Sequence, residues 1–187
     1  REGRMVKANI KPEALQYIAA CFVDTSYTLT GVSKAENYIE GIGRPSFGVD
    51  ILANMGDLYA RIVDHPNSIS AYSTLLRMYP DYAYAPLIQK KIADVYLEDQ
   101  KINEAYIARE RLFENYNPKT DWYAKIEVSD MEDRVLIVDQ ATNFSEQALR
   151  TNLIYQLARA QEYERAKTDS ISTYTEFSRL AKLYLET

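Results

Sequence analysis

The sequence carries the same helical pattern twice, 37 residues apart. Residues 55–59, MGDLY, align with residues 92–96, IADVY, and residues 78–80, MYP, align at the same spacing with residues 115–117, NYN. A fixed period of roughly 20 to 50 residues is typical of proteins in which each unit buries its apolar face only against its neighbours. The spacing therefore predicts a repeat protein assembled from helical hairpins.

Charge and hydropathy argue against two classes of partner. The 187 residues include 27 acidic and 22 basic side chains, a net charge of −5, which offers no overall attraction to nucleic-acid phosphates. The longest apolar runs fall far short of the roughly 20 residues that cross a bilayer. We therefore expect neither nucleic-acid binding nor a direct membrane span. The chain begins with Arg1 and its last residues still follow a helical pattern, so we expect a piece of a longer or processed protein.

The sequence lacks the motifs that carry most enzyme chemistry. Cys21 is the only cysteine, which excludes an internal disulfide and a multi-cysteine metal site. His65 is the only histidine, and its neighbour Pro66 places it in a predicted turn, where we expect it to be solvated. No phosphate-binding loop, nucleophile elbow or histidine metal motif occurs. The acidic residues of segment 130–133 are interpreted as complements of a helix dipole. We predict no catalytic, cofactor-binding or metal-binding residue.

Hydrophobic spacing divides the chain into four predicted helical units of a single domain, 1–187. In the first unit the apolar stripe predicts a helix over 11–24, a loop over 25–33 and a shorter helix over 34–40. The second and third units contain the two aligned copies. The approximate boundaries of the four units are 11–45, 49–81, 86–118 and 122–187.

The fourth unit is predicted to contain an elongated first helix. No glycine or proline follows Pro118, so little in the sequence would end a helix there. Apolar residues at helical spacing run from Met131 through Val135 to about Tyr163, with a weak point at 142–143. A partner helix is predicted to begin near Thr173.

The aligned residues resemble the tetratricopeptide repeat family. Four residues depart from the family pattern. Ser68 is small but polar, Leu75 is apolar but larger than usual, and Gln89 and Arg109 replace apolar or aromatic residues. The proline of the third unit also comes one place later than the pattern, after Asn117. The resemblance implies an all-α, right-handed α-α superhelix, a solenoid of about four antiparallel helix pairs. The matching positions are Leu52, Met55, Gly56, Tyr59, Ser68, Tyr72, Leu75 and Pro80 in the second unit, and Gln89, Ile92, Ala93, Tyr96, Ala105, Arg109, Leu112 and Asn117 in the third.

A narrower resemblance concerns the connection between the aligned copies. Residues 79–86, YPDYAYAP, followed by IADVY, resemble the periplasmic and outer-membrane-assembly lipoproteins of Gram-negative bacteria, which form an envelope branch of the family. This resemblance implies a location in the periplasm or at the inner face of the outer membrane, with the cytoplasm as the alternative.

In the tetratricopeptide family the first helix of each hairpin lines the inner, concave face. The matching positions here are mostly polar and carry both signs of charge, a composition suited to a peptide or helix held by hydrogen bonds and ion pairs. The residues that the resemblance places on this face are Gln16, Tyr17, Asp50, Asn54, Asp57, Arg61, Lys90, Lys91, Asp94 and Glu98.

The 16 tyrosines divide into two groups. The repeat pattern assigns five of them to packing within the hairpins or at their helix ends, namely Tyr59, Tyr72, Tyr79, Tyr96 and Tyr116. Three others, Tyr17, Tyr82 and Tyr84, are expected to be free to contact a partner.

These features together predict a non-enzymatic scaffold that binds a partner polypeptide within a bacterial cell-envelope assembly, where it would be part of a multi-subunit complex. Two alternatives stay open. The chain could be an architectural subunit of a surface or secretion machine, with its groove unused, or the regulatory arm of an enzyme whose catalytic part lies outside this sequence.

Overall fold

A computed structural model describes residues 11–24, 31–166 and 171–186. Over these ranges the chain is helical and contains no strand, which confirms the all-α prediction. The helices of the described ranges are α1 (Lys11–Val23), α2 (Gly31–Gly41), α3 (Gly48–Arg61), α4 (His65–Met78), α5 (Ala85–Glu98), α6 (Ile102–Tyr116), α7 (Asp121–Glu127), α8 (Arg134–Arg165) and α9 (Ile171–Glu186).

The chain divides into two compact units, and the division falls between Pro80 and Asp81. The first unit contains α1 to α4 and the second contains α5 to α9. Within each unit, helices that are close in sequence pack against one another. The division falls at the proline that separates the two aligned copies of the repeat.

In the first unit α1 packs along α3, α3 pairs with α4, and α2 contacts all three. The centre of this core is formed by Ile39, Leu52, Met55 and Leu75, which are all fully buried. Helix α2 begins at Gly31, so the predicted loop is wrong over 31–33, while residues 25–30 lie outside the described part of the chain. A Cβ at position 31 would lie 1.8 Å from the carbonyl oxygen of Phe22, an approach that only glycine permits.

The turn between α3 and α4 is shorter than predicted, because α4 starts at His65. The Asp64 side chain caps this helix by accepting a hydrogen bond from the backbone N–H of Asn67 at 3.3 Å, and Pro66 fits the first helical turn. His65, the first residue of α4, is 9% exposed, so the prediction of a solvated histidine is wrong.

Both aligned hairpins turn at the same place in their repeat. Val63 after α3 and Gln100 after α5 are 37 positions apart, and both adopt left-handed backbone conformations, with φ of 63° and 58°. The next residues, Asp64 and Lys101, are the N-caps of α4 and α6. The sequence period therefore corresponds to a repeated backbone geometry.

In the second unit α5 pairs with α6, and α8 packs mainly along α6 and α9 rather than along α5. Phe113, Leu149 and Leu180 bring α6, α8 and α9 together in one apolar cluster. The short helix α7 was not predicted as a separate element. Its Trp122 donates from Nε1 to the carbonyl oxygen of Tyr82 at 3.1 Å, which fixes α7 beside the start of the unit.

Helix α8 confirms the predicted elongated helix and corrects two details. It runs for 32 residues, roughly 48 Å at about 1.5 Å per residue. The weak point predicted at 142–143 is absent, since the helix continues through it, and Thr142 donates from Oγ1 to the carbonyl oxygen of Val138 at 2.9 Å. Val135 is 62% exposed, so it does not belong to the apolar stripe, whereas Ile137 is buried.

Candidate partner-binding faces

A cavity of about 280 Å³ lies between α1 and α3 in the first unit. Three residues of the predicted concave face, Gln16, Asp50 and Asn54, line it together. The side chains come from helices that pack side by side, so polar groups from two successive predicted hairpins converge on one space. The remaining lining residues are Lys11, Pro12 and Leu15.

The four predicted residues on α3 differ in exposure and in their hydrogen bonds. Asp50 and Arg61 are exposed, and Asn54 donates from Nδ2 to the carbonyl oxygen of Asp50 at 2.8 Å. Asp57 instead accepts a hydrogen bond from the hydroxyl of Tyr72 within the same hairpin. Asp50 and Asn54 are therefore the members of this face that reach the cavity.

The predicted residue Tyr17 follows Gln16 on α1 but does not line the cavity. Its side chain is 75% exposed, as expected for a tyrosine available to a partner.

Tyr84 was also predicted to be free to contact a partner, and that part of the prediction is wrong. Tyr84 is half-buried and its hydroxyl donates to Asp133, a hydrogen bond that raises the pKa of Tyr84. Tyr82 is also half-buried, with its ring centroid 5.8 Å from that of Tyr84.

A second cavity, of about 140 Å³, lies between α5, α6 and α8 in the second unit. The predicted residues Lys90 and Asp94 line it and form an ion pair, with 2.6 Å between Nζ and Oδ2. Lys91 and Glu98, also predicted, lie on α5 outside this lining, the first half-buried and the second exposed. The other lining residues are Ala93, Arg109, Leu112, Phe144, Gln147, Ala148 and Thr151.

Arg109 was not predicted as a site residue, although the sequence contained a signal. It occupies a repeat position where the family pattern has an aromatic residue, and that departure was visible from the alignment. The structure places its half-buried side chain in the wall of the second cavity. Burial lowers the pKa of the Arg109 guanidinium, and the nearby Asp94 carboxylate acts in the opposite direction.

The acidic cluster of segment 130–133 lies at the start of α8. Asp133 stands at the N-cap position of α8, in keeping with the helix-dipole interpretation of segment 130–133. Across the described ranges, no group of three or more His, Cys, Asp or Glu side chains is arranged to hold a metal ion. In the same ranges, no helix combines the length and apolar character needed to cross a bilayer.

Comparison with protein-family models, with curated proteins and with solved structures gave no match to this chain.

Proposed function

We propose that this chain is a non-enzymatic scaffold that holds a partner polypeptide against the faces formed by the first helices of its hairpins. The observation that carries the proposal is the convergence of Gln16, Asp50 and Asn54 on one cavity. The finer proposals are that the hairpins stack as a right-handed superhelix of the tetratricopeptide type, and that the scaffold acts in a bacterial envelope assembly. They are supported by the repeat residues and by the connection over 79–86.

The chemistry of the first cavity suits a side chain of a peptide. Gln16 and Asn54 offer amide donors and acceptors, Lys11 and Asp50 carry opposite charges, and Leu15 supplies a buried apolar surface. A cavity of about 280 Å³ lies just below the range of roughly 300 to 1,000 Å³ that is usual for small-molecule sites. One or two side chains of an extended or helical segment fit such a space, with the peptide backbone outside it.

The test is a triple substitution of this cavity, Gln16→Ala, Asp50→Asn and Asn54→Ala. A matched control replaces three exposed polar residues of α2 and α4, in Asn37→Ala, Ser70→Ala and Ser73→Ala. Proteins captured by the unaltered chain from an envelope extract are identified by mass spectrometry, and the affinity of each purified partner is measured by calorimetry.

We expect the cavity variant to bind a captured partner with an affinity that is roughly tenfold or more lower, because several hydrogen bonds of about 0.5–1.5 kcal/mol each are lost. The control should retain the affinity of the unaltered chain. A partner that binds both variants equally would refute the assignment of this face.

A second candidate, the architectural subunit, is favoured by apolar residues around the junction of α7 and α8. Val128, Val135 and Leu136 are 82%, 62% and 57% exposed and lie within nine positions of one another. Exposed apolar residues of this kind are candidates for burial against another subunit.

If these residues form a contact between copies of the chain, light scattering should detect self-association, and the double substitution Val135→Ser with Leu136→Ser should abolish it. A monomer at all concentrations that also co-purifies with no second chain would remove this candidate.

A further inference from the structure

The second cavity contains an arginine where its repeat equivalent is an aromatic residue. In the α3–α4 hairpin the ring of Tyr72 packs against Gly56, and its hydroxyl donates to Asp57. The residues 37 positions later are Ala93, Asp94 and Arg109. The carboxylate is thus kept, while a neutral phenol is replaced by a cation that adds positive charge to the cavity wall.

The guanidinium of Arg109 has no hydrogen bond or ion pair within the part of the chain that the structure describes. The Asp94 carboxylate acts to raise the pKa of Arg109, and its Oδ2 accepts a hydrogen bond from Lys90 at 2.6 Å. An arginine carries five N–H donors in a planar fork, and partial burial of these donors is unfavourable without acceptors. The Arg109 nitrogens are not among the buried polar atoms that lack a partner, so they stay accessible to solvent and to an acceptor on a ligand.

The charge of the cavity indicates which kind of ligand acceptor it suits. Lys90 and Arg109 contribute two positive charges and Asp94 one negative charge, so the lining has an excess of one positive charge. Gln147 and Thr151 place polar atoms at the α8 side, while Leu112 forms an apolar, buried wall. A planar carboxylate matches both this single charge and the arginine fork.

The size of the cavity is consistent with one acidic side chain. A volume of about 140 Å³ is close to the roughly 150 Å³ of an engineered protein cavity that holds benzene, a molecule of six heavy atoms. The side chain of glutamate beyond its Cα has five heavy atoms. Lys90 and Asp94 remain 36% and 48% exposed, so solvent, and therefore a ligand, reaches the cavity past them.

We infer that the cavity between α5, α6 and α8 binds the carboxylate of an acidic side chain of the partner, with Arg109 as its principal contact and Lys90 as the second cation. This assignment rests on the proposed scaffold function and adds to it a preference for an acidic anchor residue.

The test uses two tripeptides with acetylated and amidated ends, alanine–glutamate–alanine and alanine–glutamine–alanine, which differ by one charged group. The Nε–H resonance of Arg109 is followed by NMR in the unaltered chain and is assigned from its loss in Arg109→Lys. Binding is also measured for Arg109→Gln and for the control Arg111→Gln, an exposed arginine on the same helix. Propionate and inorganic phosphate are the free-anion probes.

We expect the glutamate peptide to shift the Arg109 resonance to saturation and to bind roughly tenfold or more tightly than the glutamine peptide, because hydrogen bonds to charged groups are the stronger ones. Arg109→Gln should abolish this preference and Arg111→Gln should keep it. The same binding of both peptides, or a preference that survives in Arg109→Gln, would overturn the inference.

The free anions distinguish the source of the charge. Propionate that binds as tightly as the glutamate peptide would assign the cavity to a small free carboxylate, and tighter phosphate binding would assign it to a phosphoryl group. Either result overturns the acidic anchor. Failure of the scaffold function is separate, since it appears as equal partner capture by the two triple variants of the first unit, whatever the tripeptides do.

Discussion

Gly56 and Tyr72 share one volume of the α3–α4 hairpin. A Cβ at position 56 would lie 2.3 Å from Cε1 of the Tyr72 ring, and Tyr72 itself is 2% exposed. In the α5–α6 hairpin the first position is Ala93, which has a Cβ, and the second is the unbranched Arg109. Between the two hairpins both positions differ: where glycine is replaced by the larger alanine, the rigid tyrosine ring that packs against it is replaced by a flexible arginine.

We expect Gly56→Ala to lower the free energy of unfolding by about 1–3 kcal/mol, because the overpacking against Tyr72 exceeds the gain in helix propensity of roughly 1 kcal/mol. The control is Gly41→Ala at the end of α2, where a Cβ would meet nothing within 4 Å. That change should stay within about 0.5 kcal/mol of the unaltered chain. Urea unfolding measures both, and equal effects would refute the steric account.

The turn after α3 stores backbone strain in a single residue. Val63 is β-branched and has a left-handed backbone conformation, with a φ of 63°. Its side chain is 71% exposed, so little burial of apolar surface offsets the strain. Such a conformation costs a branched residue roughly 1–2 kcal/mol.

We expect Val63→Gly to raise the free energy of unfolding by about 1 kcal/mol, since glycine reaches this φ without the Cβ penalty. Its neighbour Ile62 is also exposed but has an ordinary φ of −92°, so Ile62→Gly should give no increase. Thermal and urea unfolding compare the two. A lower free energy of unfolding in both variants would show that backbone strain at Val63 does not determine the effect.

At the scale of the helices, α9 is held on α6 by both apolar and polar contacts. Leu180 enters the cluster of Phe113 and Leu149, while Tyr106 donates from its hydroxyl to Oε1 of Glu176 at 2.6 Å. Arg179 pairs with Glu176 at 2.7 Å and also with Glu110 on α6. The polar groups therefore lie beside the apolar cluster and define the position of α9 along α6.

The packing of α9 should weaken in alkali. Burial, followed by the hydrogen bond to Glu176, raises the pKa of Tyr106 to about 12 from its usual 10.0. Because the folded-state pKa is the higher one, the contribution to stability is complete below pH 10 and is lost as the pH rises from 10 to about 12. The free energy of unfolding should fall over this interval.

Tyr106→Phe should remove part of that alkaline loss, whereas Tyr184→Phe, at a 46% exposed position, should leave it unchanged. Tyr116, whose pKa burial also raises to about 12, accounts for a remaining part in both variants. The measurement is chemical denaturation at pH 9 and pH 11.5. If Tyr106→Phe lost as much free energy of unfolding between pH 9 and pH 11.5 as the unaltered chain, the role assigned to this phenol would be contradicted.

At the scale of the whole molecule, each compact unit has its own core. Leu52 and Leu75 are central to the first, and Phe113, Leu149 and Leu180 to the second. Proteins open locally in contiguous cooperative units that often coincide with packed supersecondary motifs. Loss of a core side chain should therefore be felt first in its own unit.

We expect Leu149→Ala to cost about 2–5 kcal/mol and to accelerate amide hydrogen exchange in α6, α8 and α9 before it does so in α3 and α4. Leu52→Ala is the matched variant of the first unit and should show the reverse order. Exchange followed by mass spectrometry resolves these segments. Uniform acceleration along the chain in both variants would mean that the two units unfold as one.

Residues that are equivalent in sequence are not always equivalent in burial. Tyr59 and Tyr96 occupy the same repeat position, yet Tyr59 is 3% exposed whereas Tyr96 is only half-buried. Truncation to alanine should accordingly cost about 3 kcal/mol or more at Tyr59 and less at Tyr96. The period predicts where a residue stands on its helix, but its burial depends on which other helices cover it.

The amino-acid sequence by itself determined the helical hairpins, their 37-residue spacing and the long α8, because periodicity and the absence of glycine and proline after Pro118 act through near neighbours. The resemblance to the tetratricopeptide family implied that Gln16, Asp50 and Asn54 share one face. Only the tertiary structure decided that His65 is buried, that α8 packs mainly on α6 and that Arg109 lines a cavity with excess positive charge. The physical reason is that burial and electrostatic surroundings depend on side chains distant in sequence, whose contacts no local pattern encodes.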